Sequence, residues 1–297
     1  MLNTVLHRRA AERARRLIAT LLLVWLAGIS RAEDGAPLDI AWKNNYLTIE
    51  GPSVPGGISI HYLEAYCRAG STDRDWHETV IPHRAELVDK GGHAGDGRGP
   101  EIRLRDTLAD GVVVDHVIRA ESDNVRFELT ARNPTNRASQ AHWAQPCIRV
   151  DKFTGHGVDD ARDVVPAYAR KCFLFVDGRL TRMPTEPWAT KARYVPGQVY
   201  CPRGVDRNDV NPRPLSALVP SNGLTGCYSA DERTIMAVAF EPYQEIFQGV
   251  IACIHNDFRI GGLQPGETKT IRGRIYIVPA DVDRLIERYT RDLGPAR

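Results

Sequence analysis

Short alternating apolar runs with almost no helical periodicity between them constrain this chain most. From about residue 38 onward, apolar side chains recur at every second position in runs that Gly, Pro, Asn and Asp interrupt. In the clearest run, Val125, Phe127, Leu129 and Ala131 alternate with Arg126, Glu128, Thr130 and Arg132. Further runs cover 46–50, 58–66, 79–83, 101–104, 112–119, 141–150, 171–176, 234–240, 250–255 and 270–278. Only Val282, Leu285, Ile286, Tyr289 and Leu293 repeat at helical spacing, after Asp281 as a cap. Many strands without intervening helices exclude a doubly wound α/β arrangement. They predict an all-β chain, a large antiparallel β-sandwich or a barrel, with a short C-terminal helix.

The chain has 297 residues and is 42% hydrophobic, enough to bury a core as one domain over 33–297. Residues 1–32 read as a signal peptide: a basic stretch from His7 to Arg16, an apolar run over 17–29, then Ser30 and Ala32, with cleavage expected after Ala32. That apolar run is shorter than the roughly 20 residues of a spanning helix. No other stretch is long and apolar enough, so the expected location is secreted or periplasmic. The formal net charge is +2, but the leader holds six arginines against Glu12 alone. The remaining chain has 33 basic and 36 acidic side chains, a net −3 that argues against a nucleic-acid partner.

All six cysteines, Cys67, Cys147, Cys172, Cys201, Cys227 and Cys253, fall after the leader. An oxidising compartment would allow up to three disulfides, and the absence of a C-x-x-C spacing predicts no metal site. No strand, Gly-rich turn and helix stand in the order a nucleotide requires, so no cofactor is expected. Residues 179–223 are Pro-rich with few periodic apolar positions, which reads as a functional loop.

Two segments concentrate chemistry. If the strand from Val250 stays extended, His255, Asp257 and Arg259 share a face, placing an acid/base group, a carboxylate and a cation in line. Glu241 and Glu245, as candidate bases, and Gln244, as a binding residue, precede them in the same dense segment. In 142–149, alternation puts Trp143, Gln145, Cys147 and Arg149 on one face and Ala144, Ile148 and Val150 on the other. The first set offers a flat ring, an amide and a guanidinium suited to a sugar or an anion. Arg213, in the Pro-rich loop, could clamp a carboxylate. His116, among Val112, Val114 and Ile118, reads as a core histidine.

Asp110-Gly111-Val112-Val113-Val114 with the strand after it, the Trp143 strand, and a late His255 before Leu263-Gln264-Pro265-Gly266-Glu267 and a closing strand resemble galactose-mutarotase-like β-sandwich proteins, over residues 38–279. The runs around Trp143, Asn211 and Gln244 are similar to a secreted bacterial branch of that superfamily. The resemblance implies a carbohydrate or polysaccharide ligand. By analogy with aldose epimerases it makes His142 or His255 the general acid and Glu241 the base. By analogy with the lyase branch it sets Arg149, Arg213 or Arg259 against a uronic carboxylate, with His255 moving the proton. The expected function is therefore an exported carbohydrate-binding β-sandwich, with lyase or epimerase chemistry open to it. The alternative is a non-catalytic glycan-binding or envelope-associated structural module.

Overall fold

A computed structural model describes residues 38–71, 74–88, 98–156, 165, 167–186, 197–211, 214–249 and 251–294. The expected leader, its cleavage site, the glycine-rich stretch 91–97 and Arg213 lie outside these residues. The strands in chain order are β1 (Asp39–Lys43), β2 (Tyr46–Glu50), β3 (Ile58–Arg68), β4 (Val80–Ile81), β5 (His83–Leu87), β6 (Arg98–Gly99), β7 (Glu101–Leu108), β8 (Val113–Ala120), β9 (Asn124–Arg132), β10 (Ala141–Arg149), β11 (Cys172–Val176), β12 (Arg179–Arg182), β13 (Gly197–Tyr200), β14 (Thr225–Tyr228), β15 (Thr234–Glu241), β16 (Tyr243–Gly249), β17 (Cys253–Arg259) and β18 (Thr268–Pro279). The first sheet runs β13-β16-β17-β10-β3-β2-β1-β6, with β4 paired to β3. The second runs β12-β11-β14-β15-β18-β9-β8-β7-β5. The expected antiparallel sandwich is what the structure has.

Alternation explains the layering. On β9, Phe127, Leu129 and Ala131 point into the space between the sheets and meet Val114 and Ile118 of β8 and Ile271 and Ile275 of β18. The first sheet contributes Ile40, Leu47, Ile49, Ile60, Ala144, Ile148, Ile254 and Phe258 to the same core. The outer face of the second sheet is covered by the helix Val282–Leu293, whose N-cap Asp281 accepts from Arg284 N–H at 3.1 Å. Its Leu285, Tyr289 and Leu293 pack on Phe173, Ile235, Ala237 and Tyr276.

A polar knot sits inside the main core. With Nε2 protonated, His116 donates to Asp106 Oδ2 at 3.0 Å while its Nδ1 accepts from the Tyr62 hydroxyl at 2.8 Å. Tyr66 O–H and His83 Nδ1–H also donate to the Asp106 carboxylate, at 3.0 and 2.8 Å. Burial alone would raise the Asp106 carboxyl, but the His116 and His83 bonds hold it well below the usual carboxylate range. His116 is the core histidine its alternation predicts.

Two strand readings change. The run 79–83 is not one strand: Trp76–Thr79 forms a helical turn with a capping box between Asp75 and Glu78, and β4 and β5 follow. The strand expected over 250–255 begins at Cys253 and continues past His255 to Arg259.

Candidate functional site

The outer face of the first sheet carries most of the expected residues. Ala144 and Ile148 of β10 enter the main core, so Trp143, Gln145, Cys147 and Arg149 turn outward. Cross-strand partners extend this face: Cys147 lies opposite His61, His255 opposite Phe247, and Asp257 opposite Glu245. The chain itself covers it. Val199, Cys201 and Val210, from β13 and the segment after it, pack on Cys147, Phe247 and Cys253. Trp143 is wholly buried against Ala65 and Cys67, with Trp76 and Val80 packed on them. That burial corrects the expectation of an exposed flat ring: a stacking ligand would need the face those neighbours occupy.

His255, Asp257 and Arg259 follow one another along β17 on this outward side, as the extended reading requires, but His255 is 1% exposed and Asp257 0%. The His255 ring has Nδ1 3.6 Å from Asp257 Oδ1 and Nε2 3.4 Å from Cys253 Sγ. Burial opposes the imidazolium, yet the Cys253 thiolate and the Asp257 carboxylate raise the ring well above the ordinary histidine value. The neighbouring Gln145 amide donates to Glu64 Oε2 at 2.9 Å. Burial works against the Glu64 anion, but His255, Gln145, His61 and Arg149 together keep that carboxyl below its usual value. Arg149 donates to the carbonyl of Ile251 at 3.1 Å.

His142, Gln244 and Arg259 form a different cluster. Arg259 Nη1 donates to Asp209 Oδ2 at 3.3 Å and to Gln244 Oε1, and the Gln244 amide donates to the Asp209 carbonyl. Gly70 N–H donates to Asp209 Oδ1 at 3.0 Å, and His142 Nδ1 lies 3.4 Å from Oδ2. At Gly262, which has a positive φ, a Cβ would stand 2.8 Å from His142 Nε2, so glycine lets the chain pass the ring. These groups chiefly satisfy one another and pin residues 207–211 to the strand ends.

Glu241 stands apart, at the corner where the chain leaves β15 in the second sheet for β16 in the first. Pro242 follows it and ends the ladder, having no N–H to give. The corner opens into a cleft of about 910 Å³ lined by Glu241, Tyr243, Tyr289, Arg203, Arg272 and Asn222, among others. Tyr289 donates its hydroxyl to Glu241 Oε1 at 2.7 Å. Burial raises the Glu241 carboxyl above its ordinary value, against the pull of Tyr289 and Arg272. Burial likewise pushes the Tyr243 and Tyr289 phenols up, so both stay protonated donors. Gly223 is required for this fit: a Cβ there would come within 2.8 Å of Tyr243 and 3.1 Å of Glu241 Oε1.

The three residues expected to share acid/base work therefore have different partners: Cys253 and Asp257 for His255, Asp209 for His142, Tyr289 for Glu241. Alternation gave the outward face but not its cover, which comes from distant segments. Tyr289 was legible only as an apolar helix position. Cys147 was placed on the outward face without a role, and Cys253 and Glu64 were not singled out, although the same alternation puts Cys253 on the His255 face.

Three solved structures are similar to the chain at low identity. A putative aldose 1-epimerase from Escherichia coli K12 superposes with a TM-score of 0.39 at 10% identity, over 81% of this chain and 98% of that one. A galactose mutarotase-like protein from Lactobacillus casei gives 0.41 at 7%, over 81% and 99%. Galactose 1-epimerase from Lactobacillus acidophilus gives 0.36 at 8%, over 83% and 100%. No protein-family model and no curated protein matches the chain. Among the described residues, no helix is long and apolar enough to cross a membrane.

Proposed function

We propose that the protein is an exported carbohydrate-binding β-sandwich whose ligand occupies the Glu241 cleft. The observation that carries this reading is the Glu241 carboxyl, held on the Tyr289 hydroxyl with its pKa raised, in a cleft of about 910 Å³ that also presents Arg272, Arg203 and Asn222. Carboxylate, guanidinium and amide groups engage the paired hydroxyls of a sugar, and Tyr243 adds an aromatic edge. The two arginines favour a sugar that itself carries a carboxylate. Glu241, able to hold or release a proton near its ligand, is the one expected acid/base residue on this cleft. Export rests on the basic-then-apolar composition of residues 1–32.

The test is calorimetric titration of the chain from residue 33 with neutral and uronic oligosaccharides, alongside Glu241→Gln and Tyr243→Ala. Saturable binding of at least one oligosaccharide, weakened about tenfold or more in both variants, is the expected result, as for the loss of one charge-assisted hydrogen bond. Binding that both variants retain would place the ligand elsewhere. No binding across the panel would remove the carbohydrate reading. New reducing ends, or absorbance from an unsaturated product, present in the native protein and absent in Glu241→Gln, would make it an enzyme.

A further inference from the structure

Beneath the segment that covers the first sheet, the structure gathers a second chemical centre that the Glu241 cleft does not use. Cys147 of β10 and Cys253 and His255 of β17 each turn one donor atom to a common point, and these atoms all lie within 4.8 Å of one another. The strands set this up. Cys253 and His255 are two positions apart on β17 and so share a face, while the pairing of Ile148 with Ile254 puts Cys147 beside them on the adjacent strand. We propose that Cys147 Sγ, Cys253 Sγ and His255 Nε2 form a site for a thiophilic divalent cation of the zinc type.

Three features beyond the convergence support it. First, zinc bonds of about 2.3 Å to sulfur and 2.05 Å to nitrogen give a tetrahedral S···N edge of about 3.6 Å, and Cys253 Sγ lies 3.4 Å from His255 Nε2. Second, the other ring nitrogen faces Asp257 Oδ1 at 3.6 Å. A carboxylate behind the far nitrogen of a metal-bound histidine fixes the tautomer that leaves Nε2 free to coordinate. Third, all four side chains are at most 1% exposed, and Val199, Val210 and Phe247 close over the sulfurs. A nucleophilic role for Cys253 is excluded by the same burial, since a substrate has no approach to the sulfur.

A buried site of this kind loads as the chain folds, so its binding energy adds to the stability of the first sheet. The experiment refolds the chain from residue 33 under reducing conditions with Zn²⁺ or Co²⁺, removes free metal, and measures bound metal, the cobalt absorption spectrum and the melting temperature. The expected result is about one ion per chain, thiolate-to-cobalt charge-transfer bands, and a higher melting temperature than for protein refolded with a chelator. Cys253→Ser and His255→Ala should each lose the ion, while the Cys172→Ser and Cys227→Ser double variant, in the other sheet, should keep it. If a variant does not fold, alkylation of the native protein across a urea series decides instead: Cys147 and Cys253 should stay protected to higher urea in protein refolded with Zn²⁺ than in protein refolded with a chelator, and equal protection in the two would overturn the proposal. Metal-free protein after refolding with Zn²⁺ would overturn the proposal. So would a Cys147–Cys253 disulfide that persists in the protein as expressed, or a bound ion that the Cys253 and His255 variants retain.

Discussion

Asp106 shows how one buried side chain couples fold and pH. Its carboxylate accepts from Tyr66, His83 and His116, three donors from three strands, at 1% exposure. Asp106→Asn would turn an amide N–H₂ toward donors and leave at least one unpaired, so a loss of about 3 kcal/mol is expected from urea unfolding at pH 7. Because the folded carboxyl titrates below the unfolded one, this contribution is complete above the ordinary aspartate value of about 3.9 and fades as pH falls past it. The gap between native and variant should therefore close under acid. Glu241 has the opposite sign. Burial raises its folded pKa, so its ionised form opposes folding at neutral pH and that opposition vanishes as pH falls. Glu241→Gln should melt no lower than the native protein at pH 7, and higher if the cleft tolerates the amide, while losing ligand.

Among the elements, the C-terminal helix was fully legible because an Asp cap and helical spacing coincide in one stretch. Its attachment is testable. Leu285 is 1% exposed against the second sheet, and Leu285→Ala should cost about 2–5 kcal/mol by denaturant melts. Asp281→Ala, removing the cap bond to Arg284 N–H, should cost about 1 kcal/mol. Strand β16 was illegible for a physical reason. Its central residues are buried whether apolar or polar, Gln244, Glu245 and Gln248 included, so hydrophobicity does not alternate along it. Trp76–Thr79 was missed because the capping box and the strand pattern overlap at Thr79, and the local cap prevails.

Over the whole molecule, the two-sheet arrangement could be read because it needs only many short alternating runs and one helix. The site could not, because its walls come from separate parts of the chain: Glu241 meets Tyr289 across 48 residues, and Arg203 and Asn222 line the same cleft. Such long-range pairing predicts slow folding, with refolding by stopped-flow fluorescence in the millisecond-to-second range or beyond. The Tyr289–Glu241 bond has a further consequence in time. A ribosome adding about 5–20 residues per second takes several seconds to pass from Glu241 to Tyr289. Throughout that interval the carboxyl has emerged without its phenol, so a nascent chain holds the floor of the cleft before its wall. The cleft is finished last, by the helix that seals the second sheet.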